Sequence, residues 1–124
     1  LALDSLNHPH ISFHDPINYD LKYARWKGSA WSVETIDSTG SVRKSSSIAV
    51  DSNNKPHISY SDATNGNLKY SKFTGTTWVT ETVDAAQNVG GFTSLALDSY
   101  DNPNIGYFDQ YWMDLKYAGF YARR

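Results

Sequence analysis

Apolar and polar residues alternate with a period of two through short runs of this chain, and no window holds a helical period. In His57-Ile58-Ser59-Tyr60-Ser61, Ile58 and Tyr60 point one way while His57, Ser59 and Ser61 point the other, as a strand with one buried face requires. The run Ile11 to Phe13 repeats the pattern. Four such runs follow one another between Ser47 and Val83: SIAVD, HISYS, LKYSKF and WVTETV. Each is bounded by Gly, Asn, Asp, Ser or Pro, and the boundaries have a chemical reason. Asn53-Asn54-Lys55-Pro56 supplies residues that tolerate a left-handed backbone, then a proline that fixes the start of the next strand. Asn65-Gly66 is a strong hairpin signal. The chain is predicted to be all-β.

The same block recurs. LALDSLNHPHISFHD at the start returns as IAVDSNNKPHISYSD from Ile48 and as LALDSYDNPNIGYFD from Leu95. Asp4, Asp51 and Asp98 lie 47 residues apart, and Pro9, Pro56 and Pro103 and the Leu-Lys-Tyr triplets starting at Leu21, Leu68 and Leu115 keep that interval. The units are 1–47, 48–94 and 95–124, the last reaching only its third run. Four antiparallel strands in a unit of this length predict a β-propeller blade, with about two and a half blades here. An immunoglobulin-like sandwich needs about seven strands without this internal identity. The Trp-Asp pairing of WD40 repeats, the double glycine of kelch repeats and the aspartate box of sialidases are all missing.

The repeat resembles one found in predicted secreted and cell-surface proteins of bacteria and archaea, with units reading approximately LALDS, PHISYYD, LKYA, W and ETVD. The resemblance covers the whole chain. In the second unit it rests on Ala49, Asp51, Pro56, His57, Ile58, Tyr60 and Asp62, then on Leu68, Lys69, Tyr70, Trp78, Glu81, Thr82 and Asp84. The third unit departs at Asn104 and Gly106. The resemblance implies a propeller on an extracellular or surface protein and carries no established chemistry with it.

Composition narrows the function. With 11 basic against 13 acidic residues, the chain has no electrostatic footprint for nucleic acid or an anionic membrane. No stretch approaches the ~20 apolar residues of a membrane span. Without cysteine there are no disulfides and no thiolate metal sites. Two and a half blades leave apolar faces and a strand edge open, so the chain is expected to be part of a larger ring, completed by other copies of itself or by further blades of a longer parent.

A position kept in every unit serves the blade, and positions that differ are the better site candidates. Asp15, Asp62 and Asp109 are expected to accept backbone hydrogen bonds in the loops that follow them. Trp31 and Trp78 are expected to pack between blades. Lys22, Lys69 and Lys116 are expected to lay their stems on the sheet, with the ammonium snorkelling to water or pairing with Glu34 or Glu81. His8, His10 and His14 share parity, but Pro9 interrupts the run and His10 recurs without companions, so no metal site is expected. Asp51 to Asn54 and Asp98 to Asn102 lack the acidic spacing of a calcium loop. No cofactor motif and no nucleophile with a recognisable base occurs.

The loops between second and third strands diverge most, reading HDPINYD, SDATNGN and FDQYWMD. Tyr19, Asn65, Gln110, Tyr111 and Trp112, with Arg43 from the connection between blades, form the candidate ligand face. Aromatic rings beside amides and carboxylates suit carbohydrate, whose C–H surfaces stack on rings while hydroxyls take hydrogen bonds. The expected function is a non-catalytic recognition or scaffold module, in its most concrete form a lectin-like glycan binder. The alternative is a part of a propeller glycoside hydrolase or lyase whose site is assembled with other blades; it is disfavoured because most carboxylates are repeated and so serve the blade.

Overall fold

The computed structural model describes residues 1–42 and 45–120. Among the described residues, eleven strands and no helix form three antiparallel sheets in chain order, and no helix is long and apolar enough to cross a membrane. The first sheet holds β1 (Ala2–Leu3), β2 (Pro9–His14), β3 (Leu21–Trp26) and β4 (Trp31–Asp37). The second holds β5 (Ser46–Val50), β6 (Pro56–Asp62), β7 (Asn67–Phe73) and β8 (Trp78–Asp84). The third holds β9 (Val89–Leu97), β10 (Pro103–Asp109) and β11 (Asp114–Gly119). The four strands of the middle sheet fall where the alternation places them.

Turn chemistry repeats with the unit. Asn7, Asn54 and Asp101 all adopt a left-handed backbone, with φ of 62°, 62° and 64°. Preceding each, an aspartate caps the turn: Asp51 Oδ1 accepts the N–H groups of Asn53 and Lys55, both at 2.9 Å. Asp62 Oδ1 likewise accepts from Thr64 N at 3.0 Å and Asn65 N at 3.3 Å, as expected of the repeated loop aspartates. Gly66 has φ 69°, and a Cβ there would lie 2.5 Å from Asn88 N, so this turn admits only glycine as it stands.

Two cores lie between successive sheets, built from the same six positions. Leu21, Tyr23, Val42, Ile48, Ile58 and Tyr60 fill the first. Leu68, Tyr70, Val89, Leu95, Ile105 and Tyr107, each 47 residues further on, fill the second. Each side chain removed from water here contributes about 1.5–3 kcal/mol before entropy is counted. Trp78 packs into the first core, edge-on to Tyr23 at 5.3 Å, while Trp31 has no sheet on its side and is exposed.

The lysines do not pair with the glutamates. Lys69 stands opposite Thr82 and Glu81 opposite Tyr70, so lysine and glutamate lie on opposite faces of the sheet. Lys69 Nζ instead reaches back to Asp37 of the first sheet at 2.8 Å, and Lys116 Nζ reaches Asp84 of the second at 2.7 Å. Tyr60 and Tyr107 donate to the same carboxylate oxygens at 2.6 and 2.7 Å. Lys22, with no preceding sheet, donates to Thr35 Oγ1 at 2.7 Å.

Candidate functional site

The loops between second and third strands gather at one end of the stack, tied to the connections between sheets: Val42 N donates to Tyr19 O at 2.8 Å, and Gln110 N to Asn88 O at 2.9 Å. Each sheet supplies one loop, so the sequence-predicted residues are distributed along the stack. Tyr19 holds a left-handed backbone with φ 59°, and Asn65 Nδ2 donates to Asp62 Oδ2 at 2.8 Å, which gives this amide a part in its own loop. Tyr111 and Trp112 do come together. Asp109 Oδ1 accepts both their N–H groups, and their rings meet edge-on at 4.9 Å. Both rings are exposed and, with Ala85, Ala86 and Gln87, border a shallow cavity of about 540 Å³. Arg43 lies outside the described residues.

The opposite end of the strands carries a larger hollow, about 690 Å³, between the first and second sheets. β3 and β4 present Tyr23, Arg25 and Glu34 to it, and the second sheet adds Asn54, Lys55 and Phe73. The alternation puts Tyr23 and Arg25 on one face of β3, and Glu34 stands directly opposite Tyr23 on β4. Trp78 Nε1 donates to Glu34 Oε1 at 3.0 Å, which orients the carboxylate from the second sheet. Lys55 Nζ is held by Thr74 O at 3.1 Å.

A buried relay stands behind this hollow. His10 Nε2 lies 3.1 Å from Asp4 Oδ2, and His10 Nδ1 lies 2.6 Å from the Tyr23 hydroxyl. A carboxylate can only accept, so Nε2 carries its proton toward Asp4, and in the neutral ring Nδ1 accepts from tyrosine. Burial pushes the Tyr23 hydroxyl up to about 12, against the opposing pull of Arg25, to which it is also hydrogen-bonded. It therefore stays protonated near neutrality. Burial works to raise the Asp4 carboxyl, but the N–H groups of His8 and Leu6 and the His10 ring hold it at about 2.

The relay recurs in the second unit, with Asp51–His57 at 2.9 Å and His57–Tyr70 at 2.5 Å. A second hollow of about 340 Å³ at the equivalent place is bordered by His57, Lys72 and Asp101. Lys72 stands where the first unit has Arg25, and the third unit has Gly119. The two hollows share three repeat positions, Arg25, Lys27 and Asn54 in the first and Lys72, Thr74 and Asp101 in the second. Loop divergence marks the other end of the strands. The available signal for this site was the change Arg25, Lys72, Gly119 two residues after an unvarying tyrosine.

The larger hollow is lined by charged groups of both signs. Glu34 is the single carboxylate among its described lining residues, whereas glycoside hydrolysis uses two across the scissile bond. Among the described residues, no three His, Asp or Glu side chains converge to hold a metal ion.

No protein-family model matches this chain. No curated protein matches it. Among solved structures, the fucose lectin from Kordia zhangzhouensis in complex with methyl-fucoside is similar over 98% of this chain and 96% of that one, with a TM-score of 0.57 and 16% identity. That likeness is one of fold: an all-β chain of closely similar extent.

Proposed function

We propose that this chain is a non-catalytic carbohydrate-binding module, its three sheets being consecutive blades of a β-propeller, and that a sugar is held in the hollow between the first and second sheets. One observation carries the reading: Arg25 and Glu34, diagonal neighbours on one face of the first sheet, line an open cavity together with Phe73 of the second. A guanidinium supplies several N–H donors in fixed directions and a carboxylate only accepts, so together they match the donor and acceptor character of vicinal hydroxyls. The part-exposed Phe73 ring suits the apolar C–H face of a pyranose. The relay from Asp4 through His10 fixes the Tyr23 hydroxyl before ligand arrives, which reduces the ordering that binding must impose. The fold shared with a fucose lectin supports this reading, and the resemblance to surface-protein repeats supports a place outside the cell.

A second location is favoured by the exposed Tyr111–Trp112 pair, whose edge-on rings present two stacking surfaces beside Gln87. Titration calorimetry against methyl-fucoside and a panel of other monosaccharides separates the two. Arg25→Ala is expected to weaken binding by about tenfold or more, the worth of charge-assisted hydrogen bonds, while Trp112→Ala leaves affinity unchanged. The reverse pattern moves the site to the loop face. If no glycan in a broad array binds the folded wild-type chain, the carbohydrate reading is wrong.

A further inference from the structure

Each end of the stack is the counterpart of a face that is buried inside it. The outer face of the third sheet, the tail, presents Leu115 at 85% and Tyr117 at 60% exposure, where Leu21 and Leu68 are at 0% and Tyr23 and Tyr70 at 4% and 3%. The outer face of the first sheet, the head, presents Ile11, Phe13 and Trp31, the counterparts of Ile58, Tyr60 and Trp78, which meet the first sheet.

Both ends are also more apolar than their buried counterparts. Inside the stack, Tyr60, Ser71 and Thr80 share hydroxyl hydrogen bonds, at 3.4 Å for Tyr60–Ser71 and 2.5 Å for Ser71–Thr80. At the head the same positions hold Phe13, Ala24 and Val33. At the tail, Phe92 and Phe108 replace Ser45 and Ser61. Their rings meet edge-on at 6.2 Å and, with Leu115, line an apolar hollow of about 370 Å³. Faces meant for water change in the other direction, toward polar groups.

One polar contact between sheets has its counterpart at the ends as well. Ser5 and Asn54 clasp each other across the first junction, Ser5 N to Asn54 Oδ1 at 2.9 Å and Asn54 Nδ2 to Ser5 Oγ at 2.7 Å. Ser52 donates from N and Oγ to Asp101 across the second. The next members of this series are Ser99 on the tail and Asn7 on the head, and Asn7 already has the left-handed backbone of Asn54. Phe13, unlike Tyr60 and Tyr107, needs no carboxylate from the sheet that covers it.

We propose that the head of one copy of this chain binds the tail of a second copy, and that two copies close six sheets into one ring. A head-to-tail contact uses two different patches and closes where the rotation allows, and six lies within the usual four to eight blades. The junction sets Tyr117 of one copy against Trp31 of the other, as Tyr23 sits against Trp78. The inference rests on the face contacts and does not depend on what the hollows bind.

Light scattering over a concentration series of the full chain tests this. The wild type is expected to have the mass of two chains, and Phe13→Asp and Leu115→Asp are each expected to be monomeric alone. Mixed one to one, they are expected to recover a two-chain species, because the mixture keeps one intact head and one intact tail. Should either aspartate variant lose its β circular dichroism, Trp31→Ala and Tyr117→Ala take its place, each expected to raise the dissociation constant about tenfold or more. A wild type that stays monomeric throughout overturns the proposal. So does a pair that survives Phe13→Asp but not Leu115→Asp, which means tail-to-tail contact, or a mixture that recovers nothing.

Discussion

Asp37→Ala is expected to lower the free energy of unfolding by about 3 kcal/mol, measured by urea titration, which makes it among the most damaging changes at a polar position. The carboxylate sits at the end of β4 and takes two groups from the next sheet on one oxygen, Lys69 Nζ at 2.8 Å and Tyr60 Oη at 2.6 Å. Its other oxygen accepts from Thr39 N at 2.9 Å and Thr39 Oγ1 at 2.6 Å. Removing it leaves the fully buried Tyr60 hydroxyl with only its long 3.4 Å contact to Ser71, and the Lys69 ammonium with 13% side-chain exposure and no counter-charge. Asp84→Ala removes the equivalent contact in the next junction, where Lys116 is 34% exposed, so water replaces much of what is lost and the expected cost is about half. Equal losses at the two sites show that burial does not set the scale.

The same carboxylates fix the direction of the acid response. Burial works to raise the Asp37 carboxyl, but the Lys69 ammonium and the hydroxyls of Thr39 and Tyr60 hold it well below the ordinary 3.8. Asp84 is lowered in the same way by Lys116 and Tyr107 against its own burial. A group whose folded value lies below its unfolded value contributes stability above the unfolded value and loses it as pH falls toward the folded one. Stability is therefore expected to decline from about pH 5 downward, and Asp37→Ala flattens that decline. An unchanged acid limb in the variant shows that Asp37 is not part of it.

What the sequence shows about this molecule is its period, and what it hides is what meets across units. Alternation places β5 to β8, and Asp15, Asp62 and Asp109 read as loop aspartates because the N–H groups that donate to them lie two or three residues on. The lysine partner is different. Parity alone separates Lys69 from Glu81, yet nothing in one unit says that Asp37, 32 residues upstream, is the carboxylate within reach. β9 shows the same limit: it runs nine residues from Val89 where β5 has five, with register shifts against β10 around Phe108. Gly90 and Gly91 allow that path, Gly90 with φ 88° pressed against the Leu68 backbone, which the repeat pattern alone does not foretell. The hollow at Arg25 is lined from two units and so has no contiguous motif. The Tyr111–Trp112 pair, contained in one loop, was legible.

The unit-to-unit changes in the relay make the sharpest test of what the buried histidines do. Asp51→Ala is expected to cost about 3 kcal/mol, because two turn N–H groups and the buried His57 ring all lose their acceptor. His57→Asn is subtler, since the third unit already carries Asn104 at that position. There the Tyr117 hydroxyl donates to Asn104 Oδ1, and Asp98, which has no histidine to accept from, takes Asn102 Nδ2 at 3.0 Å instead. The shorter amide keeps the tyrosine and gives up the aspartate, and a second amide fills the vacated place. In the second unit Lys55 occupies the position of Asn102, so His57→Asn alone leaves Asp51 without a side-chain donor and is expected to cost about 2 kcal/mol. Adding Lys55→Asn is expected to return about 1 kcal/mol, the worth of one regained hydrogen bond to a carboxylate, although the exposed bond from Lys55 to Thr74 is lost. A double-mutant cycle reads the result directly. Clear coupling between positions 55 and 57 means that the third unit's asparagines are a compensated pair performing the histidine's task. Coupling near zero means that the aspartate is held by its turn alone, and that the histidine serves the tyrosine and the hollow in front of it.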